Sequence, residues 1–252
     1  MFRSTTAACL FLTTTLSANT LAGEHGHGPH WGYEGHGGPA HWAELEKENA
    51  VCGAGQRQSP IDIANATNAG LAPIAFDYRD AALEILNNGH TIQVNRGEGS
   101  SISVDGEKYE LVQFHFHTPS ENTVGGKPFD MELHLVHKNA QGRLAVVGIF
   151  MKAGAENVVL GKAWGHMPSH AGHTEQVASV SINPADLLPA NRTYTGFNGS
   201  LTTPPCSEGV KWFVMQDAVE VSSAQVKQFA QVVGSNARPT QPLNGRFVLS
   251  AK

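Results

Sequence analysis

Three histidines in two strand-like segments are the residues of this sequence that are best suited to chemistry. His115 and His117 lie in the segment QFHFH, and His134 lies in the segment MELHLVH. Side chains alternate between the faces of a strand, so His115 and His117 share a face, and pairing of the two strands would bring His134 towards them. Three neutral imidazoles without a thiolate are typical of a catalytic zinc site, which leaves one position for water. The pattern therefore predicts hydrolytic or hydration chemistry.

Two polar residues beside these histidines have the spacing expected of groups that support metal ligands. Gln113 and Glu132 each lie two residues from a candidate ligand, on the same face of the strand. Metal-bound histidines usually donate their other ring N–H to an amide, a carboxylate or a carbonyl. An isolated pair of histidines is weak support for a metal site. The hypothesis therefore depends on the third histidine and on these two neighbours, whose alternative role is that of solvated edge residues.

The length and composition of the chain indicate one sizeable domain. Of its 252 residues, 40% are hydrophobic and 15% are charged, and large β folds reach this length as one unit. The formal net charge of -5 offers no basic surface, which excludes nucleic acid as a partner. The sequence has no run of about 18 apolar residues, so we expect no membrane span.

Residues 1–22 have the pattern of an export signal. Arg3 provides the positive start, an apolar stretch follows, and Ala22 ends a small-residue cleavage site. We expect residues 23–252 to form a single catalytic domain, with residues 23–29 as a flexible lead-in. The expected location of this domain is the periplasm or the outside of the cell.

Cys52 and Cys206 remain as an even pair after such processing, because Cys9 leaves with the signal. In an oxidising compartment a disulfide between them is the expected state, and two buried free thiols are the alternative. Thr202 to Pro205 directly precede Cys206, so a bridge would also anchor this loop.

Short strand-like runs dominate the sequence after residue 58. They mix β-branched and aromatic residues between turn signals, and they are ALEILNN, TIQV, SISV, YELVQFHFH, MELHLVH, RLAVVGIFM and VKWFVM. Residues 23–58 lack periodicity, which predicts a loose, irregular opening segment. One helix is predicted late in the chain, where Ser222 to Gln225 resembles a capping box and Gly234 is a natural end.

Seven motifs follow one another along the chain in a distinctive order. They are QSPIDI at 58–63, NNGH at 87–90, QFHFH at 113–117, SENTV at 120–124, ELHLVH at 132–137, LAVVGIF at 144–150 and GSLTTPP at 199–205. With these motifs, the sequence resembles an α-class carbonic anhydrase of the bacterial exported type, from about His30 to Arg246. The resemblance implies an α+β fold with a large twisted, mostly antiparallel central sheet and short peripheral helices.

The resemblance also implies a cofactor and an activity. It makes His115, His117 and His134 the ligands of one Zn²⁺ ion, with Gln113 and Glu132 holding the ligand rings. The implied reaction is reversible hydration of carbon dioxide to bicarbonate and a proton, by attack of zinc-bound hydroxide, with esterase activity as a side reaction. The implied partner is this small-molecule substrate, and a homodimer is compatible with the sequence.

Further residues take their roles from the same resemblance. Thr202 would orient the hydroxide by passing its own proton to Glu121, and His90 would be the proton shuttle. The substrate site, which combines an apolar wall with a bicarbonate contact, would consist of Val136, Val146, Leu201, Trp212 and Thr203. The polar positions of the cavity would be Tyr33, Asn88 and Gln93. Some positions depart from the family pattern: Thr118 and Pro119 follow His117, Asn122 stands where animal members often have histidine, and Phe197 stands where the family often has tyrosine.

The residues alone leave two other functions open. His115, His117 and Glu121 also imitate a cupin metal motif, which would imply an oxygenase or isomerase, although the glycines and proline that cupins place before their last histidine are missing. A periplasmic zinc-buffering protein is suggested by additional histidines, whose alternative role is that of solvated loop residues: His25, His27, His30, His36, His41, His166, His170 and His173. Iron-dependent oxygen consumption would favour the first function, and several weakly bound metals without catalysis would favour the second.

Overall fold

The chain is organised around one large twisted sheet. This computed structural model describes Met1 and residues 30–251, so residues 2–22 of the predicted export signal and the predicted lead-in lie outside the described residues. The strands are β1 (Asp62–Ile63), β2 (Thr67–Asn68), β3 (Ala75–Asp77), β4 (Ala81–Asn87), β5 (Ile92–Asn95), β6 (Ser101–Val104), β7 (Glu107–His117), β8 (Thr123–Val124), β9 (Met131–Lys138), β10 (Leu144–Ala153), β11 (Thr174–Ile182), β12 (Tyr194–Ser200), β13 (Glu208–Met215), β14 (Val219–Val221) and β15 (Leu249–Ser250). The α-helices are α1 (Trp42–Leu45), α2 (Val51–Ala54), α3 (Val158–Trp164) and α4 (Ser223–Val233), and single 3₁₀ turns cover Gly35–Gly37, Lys47–Asn49 and Pro184–Leu187.

The strand order confirms the predicted fold class. The sheet runs β11-β4-β5-β7-β9-β10-β13-β12-β15-β2, with β6 paired to β7, β3 to β6 and β14 to β10, while β1 and β8 form a separate pair. Most neighbours are antiparallel, but β13 and β14 run parallel to β10, and β2 runs parallel to β15. All seven strand-like runs of the sequence overlap strands. The sequence pattern did not predict β11, whose residues are largely exposed, or β12, whose two glycines weaken strand propensity.

The two faces of the central strands have different chemistry. Phe114 and Phe116 of β7 and Leu133 of β9 point into the larger hydrophobic core, on one side of the sheet. The ring of Phe116 packs there against Trp164 of α3 at 4.8 Å and Phe229 of α4 at 6.3 Å between centroids. The alternate residues, which include all three candidate ligands, therefore project to the opposite side.

Helix α4 forms as the sequence predicts. The hydroxyl of Ser222 accepts a hydrogen bond from the backbone N–H of Gln225 at 3.2 Å, and the side chain of Gln225 accepts one from the backbone N–H of Ser222 at 3.1 Å. Gly234 ends the helix with φ of 79°, a backbone conformation that favours glycine. The capping box and the helix end are confirmed.

The prediction of a loose opening segment is wrong for the described residues 30–58. Two short helices, α1 and α2, form there, and the ring of Trp42 is completely buried. Its indole N–H donates to the carbonyls of Gly32 at 2.8 Å and Gly37 at 3.0 Å. The segment lacks a periodic pattern because its order comes from one buried aromatic ring and from contacts with distant parts of the chain.

Candidate metal centre and active site

The three candidate ligands lie side by side on one face of the large sheet. Strands β7 and β9 pair in an antiparallel register that places His115 directly opposite His134, with His117 two residues further along β7. One possible ligand atom from each histidine lies within 4.8 Å of the others. Within Met1 and residues 30–251, no other group of three or more His, Cys, Asp or Glu residues has such a geometry. The predicted pairing of these two strands is confirmed.

The second ring nitrogen of each β7 histidine contacts a different partner. His115 Nδ1 lies 2.9 Å from Oε1 of Gln113, the residue predicted for this role. His117 Nδ1 lies 2.7 Å from the backbone carbonyl of Asn236, a partner that the sequence did not reveal. Because an acceptor fixes the N–H at Nδ1, the Nε2 atom of each ring is left with its lone pair free for a metal.

His134 is supported by a carboxylate that is itself held rigidly. Its Nε2 lies 3.2 Å from Oε1 of Glu132, in an orientation too oblique for a well-directed hydrogen bond. Oε1 also accepts from the side-chain amide of Asn122 at 2.7 Å, and Oε2 accepts from the backbone N–H groups of Asn122 at 2.8 Å and Glu121 at 2.9 Å. A methyl group at Gly148 would lie 3.0 Å from Oε1, so this glycine leaves the space that the carboxylate needs.

The donor set fits a metal ion. Burial lowers the pKa of all three candidate ligands, and for His115 and His134 it does so to well below the ordinary value. The rings are therefore neutral, which is the form that binds a metal. The Nε2 atom of His117 is also buried without a hydrogen-bond partner, an unfavourable state that a metal would relieve. Three imidazole nitrogens without a thiolate fit tetrahedral Zn²⁺ with one open position.

A buried carboxyl group, that of Glu121, lies beside the candidate ligands. Its Oε2 is 3.4 Å from Nε2 of His117, and its Oε1 accepts a hydrogen bond from the backbone N–H of Arg238 at 2.9 Å. Burial raises the pKa of Glu121 to about 8, and the nearby Thr202 hydroxyl and the backbone N–H of Arg238 oppose this rise. The structure thus brings Thr202 next to Glu121, although no well-directed hydrogen bond reaches Oε2.

Arg238 carries a buried guanidinium group that joins distant parts of the chain behind Glu121. Its Nη1 donates to Oε1 of Gln58 at 2.9 Å and to the carbonyl of Ser59 at 2.7 Å, and its Nη2 donates to the carbonyl of Cys52 at 2.8 Å. The guanidinium carbon lies 5.5 Å from the ring centre of Trp42. The sequence offered no motif for Arg238, because its partners are mostly backbone carbonyls.

The predicted disulfide is confirmed between Cys52 and Cys206, whose Cα atoms are 5.1 Å apart. Cys206 follows the loop that carries Thr202 and Thr203, and its backbone N–H donates to the carbonyl of Thr203 at 2.8 Å. The bridge therefore fixes this loop to α2, beside the residues that Arg238 contacts.

A cavity of about 120 Å³ opens next to the β7 histidines. Its lining consists of Trp31, Tyr33, Asn88, His90, Thr91, Gln93, Gln113, His115, His117 and Thr203. The predicted cavity residues are therefore together in one place. The side chain of Asn88 donates to Oε1 of Gln93 at 3.4 Å, and its Oδ1 accepts from the backbone N–H of His90 at 2.9 Å. This turn holds His90 at the rim.

His90 is half-buried and stacks on an aromatic ring. Its imidazole lies parallel to the indole of Trp31, with ring centroids 3.6 Å apart and an angle of 9° between planes. Burial, and to a smaller extent the neighbouring His30, lowers the pKa of His90 to about 4. Tyr33, on the same wall, has a pKa that burial raises above the ordinary value, with the charge of Glu121 as a second cause.

The predicted apolar wall forms a cluster on the same side of the sheet. Val136, Val146 and Trp212 are buried in it, and Leu201 packs against them. The ring of Trp212 lies 4.9 Å from that of His134, centroid to centroid. Apolar side chains therefore directly adjoin the third candidate ligand.

Comparison with known proteins identifies the family to which this architecture belongs. The family model described as eukaryotic-type carbonic anhydrase matches residues 37–252. The chain belongs to the α-carbonic anhydrase family. It is 47% identical over 224 residues to a carbonic anhydrase of Klebsiella pneumoniae and 45% identical over 221 residues to one of Pectobacterium atrosepticum, covering 87% of this chain and 90% of the relative in each case.

Solved structures of bacterial α-carbonic anhydrases have the same fold. The enzyme from Thermovibrio ammonificans, solved with the inhibitor sulfanilamide, superimposes with a TM-score of 0.85 at 48% identity, over 87% of this chain and 98% of that one. The enzyme from Photobacterium profundum superimposes with a TM-score of 0.83 at 48% identity, over 87% of this chain and 100% of that one. This α-carbonic anhydrase is thus an enzyme of a metal-dependent family, and the cupin and metal-buffering alternatives are set aside.

The remaining histidines of the described chain form pairs at most. The rings of His36 and His41 are 6.1 Å apart, and those of His170 and His173 are 5.8 Å apart. His25 and His27 lie outside the described residues. None of the described helices of this α-carbonic anhydrase has the length and apolar character to cross a membrane.

Proposed function

We propose that this α-carbonic anhydrase uses one Zn²⁺ ion, held by His115, His117 and His134, to hydrate carbon dioxide reversibly to bicarbonate and a proton. The observation that supports the proposal most directly is the convergence of three neutral imidazoles, two of them buried and that of His115 partly exposed to the cavity. When bound, zinc supplies Lewis acidity, which makes water nucleophilic near neutral pH. Gln113, Glu132 and the Asn236 carbonyl orient the three rings.

Thr202 and Glu121 orient the nucleophile in this proposal, in which the positive charge of a bound Zn²⁺ ion would lower the pKa of Glu121 from about 8 and favour its ionised form. A threonine hydroxyl has one proton to donate, so a hydroxyl that donates to Glu121 must accept a hydrogen bond from the attacking oxygen. This constraint leaves a lone pair of that oxygen directed at the carbon atom of the substrate. Arg238 contributes by fixing Oε1 of Glu121 through its backbone N–H.

The substrate contacts follow from the chemistry of carbon dioxide and bicarbonate. Carbon dioxide has no net charge or dipole, and the apolar cluster of Val136, Val146, Leu201 and Trp212 suits it. Thr203, which lines the cavity, would contact bicarbonate. No lysine or arginine lines the described cavity, which favours rapid release of an anion.

His90 is the proposed proton shuttle. Each hydration releases one proton, and at turnover rates of about 10⁶ s⁻¹, which carbonic anhydrases can reach, proton removal limits the rate. The ring of His90 is neutral because its pKa is lowered to about 4, so its free nitrogen can take up this proton and, once protonated, releases it readily. Three lining residues, Asn88, Trp31 and Gln93, shape its surroundings.

Stopped-flow measurement of carbon dioxide hydration tests the proposed function. The purified chain is assayed as isolated, after removal of metal with a chelator, and after addition of one equivalent of Zn²⁺. We expect activity to disappear with the metal and to return with zinc at one ion per chain, together with weak esterase activity on an activated ester. Activity that persists in the metal-free protein, or zinc loading without hydration, would contradict the proposal.

We also propose that the protein is exported after removal of residues 1–22. The disulfide between Cys52 and Cys206 supports this location, because such bridges persist in oxidising compartments. Amino-terminal sequencing of the protein from the periplasmic or secreted fraction is expected to start at Gly23. A full-length chain that stays in the cytosolic fraction would contradict it.

A further inference from the structure

A second imidazole, which the established activity does not explain, lies beside His90 at the rim of the cavity. His30 is exposed, and its ring centroid lies 4.9 Å from that of His90, with 36° between the ring planes. His90 is half-buried and has one face covered by Trp31 at 3.6 Å. His30 therefore places an exposed imidazole directly beside the half-buried one.

We propose that His30 is a second proton-transfer group, which accepts the proton from His90 and passes it to buffer. This inference rests on the proposed function, in which His90 takes up the proton that each hydration releases. The covered face and partial burial of His90 restrict the directions from which a buffer molecule can approach it. An exposed neighbour of the same chemistry gives the proton a route past this restriction.

Electrostatics favours transfer in the outward direction. Two protonated imidazoles at this distance repel each other, so the pair holds one proton more readily than two. Burial disfavours the charged form at His90, and the repulsion from His30 acts in the same direction. The inner ring therefore holds the proton weakly, which favours its transfer to a neighbouring base.

Within Met1 and residues 30–251, no carboxylate forms an ion pair with either of these two histidines. The histidines of the described chain that form ion pairs are His41, His117, His134 and His166, and neither His30 nor His90 is among them. The groups that face His90 are instead the uncharged side chains of Trp31 and Asn88 and the ring of His30. A carboxylate at the rim would hold the proton, whereas these neighbours let it pass.

The test compares two substitutions of His30 in the zinc-loaded full chain. His30→Ala removes the ring, and His30→Phe keeps an aromatic ring that cannot carry a proton. In dilute buffer we expect kcat of both variants to fall about threefold, because only the proton-transfer step is slowed, while kcat/KM stays at the wild-type value. Added imidazole buffer is expected to restore kcat. His36→Ala, which changes an exposed histidine of the same segment, is the matched control and should have wild-type kcat.

A double-mutant cycle with His90→Ala distinguishes proton transfer through His90 to His30 from other roles of His30. If the proton reaches His30 through His90, replacing His30 in the His90→Ala background has no further effect. A His30→Phe variant with wild-type kcat in dilute buffer would overturn the proposal. An equal loss of kcat on replacing His30 in the wild-type and His90→Ala proteins would also overturn it. A fall in kcat/KM would also overturn it, because the loss would then lie in the hydration step. A wild-type protein without zinc-dependent hydration would reject the proposed function itself, and the two failures are thus distinct.

Discussion

His117 contacts the backbone carbonyl of Asn236, 119 residues further along the chain, with 2.7 Å between Nδ1 and the oxygen. The side chain of Asn236 fixes this carbonyl in place. Its Oδ1 accepts from the backbone N–H of Thr118 at 2.8 Å, and its Nδ2 donates to the carbonyls of Phe116 at 2.9 Å and His90 at 3.0 Å. One asparagine therefore connects a candidate metal ligand to the turn that carries the proposed shuttle.

Replacement of Asn236 should weaken metal binding although no ligand is lost. In Asn236→Ala the backbone carbonyl remains, but the three side-chain hydrogen bonds that position it are gone. We expect the affinity for zinc to fall about tenfold, the lower end of the effect of disturbing groups behind metal ligands. Competition with a chelator of known affinity measures this change.

Asn139→Ala provides the matched control for that experiment. Asn139 is equally a buried asparagine, and its side chain accepts from the backbone N–H groups of Gln141 and Arg143 in the β9–β10 turn. This variant should lose stability without losing zinc affinity. Equal zinc affinity in Asn236→Ala and wild type would show that the carbonyl needs no side-chain support.

The contrast between Gln113 and Asn236 shows which parts of the site a sequence reveals. Gln113 supports His115 from two residues away on the same strand face, so the period of two identifies it. Asn236 and Arg238 act across 117 to 120 residues, through backbone groups whose positions depend on the complete fold. Their segment, SNARP, carries no periodicity and no ligand-like spacing.

The fold shows the same division between local and non-local information. Strands β7, β9 and β10 have alternating or continuous apolar patterns that predict them directly. By contrast, β12 contains Gly196 and Gly199, and becomes a strand because it is paired on both sides with β13 and β15. The sequence pattern did not predict that Trp42 is buried either, because its indole N–H donates to carbonyls of an irregular segment.

Thr202 should be needed for its hydroxyl and not for its size. Thr202→Val keeps the shape but cannot relay a hydrogen bond to Glu121, so the attacking oxygen loses its orientation. We expect kcat/KM for carbon dioxide to fall about 100-fold, the usual scale for misorientation of a reacting group. Thr202→Ser retains the hydroxyl and should keep most of the activity. Similar rates for the valine and serine variants would rule out the orienting role.

His90 should limit turnover only when buffer is scarce. In His90→Ala we expect kcat in dilute buffer to fall about tenfold or more, because general acid–base groups contribute at least this much, while kcat/KM is unchanged. Added imidazole should restore part of the loss. Unchanged kcat at low buffer concentration would mean that protons leave the cavity by another path.

Reduction of the disulfide should lower the free energy of unfolding. The bridge closes a loop with a sequence separation of 154 residues. The chain-entropy relation gives a loss of about 5 kcal/mol for a loop of this size. Urea unfolding with and without a reductant measures the difference, and the Cys52→Ala, Cys206→Ala double variant, which should not respond to reductant, is its control. A midpoint that does not move on complete reduction would contradict the prediction.

Acid should destabilise the protein through a histidine far from the metal. His137 is completely buried, with Nε2 at 2.8 Å from the hydroxyl of Tyr78 and Nδ1 at 3.3 Å from the carbonyl of Ala145. Burial lowers the pKa of His137 to about 3, and the backbone hydrogen bonds oppose this shift only in part. The unfolded chain, with an ordinary pKa of about 6.5, therefore binds this proton more readily than the folded chain does.

Because the pKa of His137 is lower in the folded chain than in the unfolded chain, acid favours unfolding. As the pH falls from about 6.5 towards about 3, the free energy of unfolding should decrease by about 1 kcal/mol per pH unit on account of His137. His137→Gln removes the titrating ring but keeps a side chain that can hydrogen bond to Tyr78, so its stability curve should be flatter over this window even if its maximum is lower. Urea unfolding between pH 4 and pH 7 measures both slopes. His36→Gln, at an exposed site, should retain the wild-type slope, and parallel curves for His137→Gln and wild type would show that His137 does not set the acid limit.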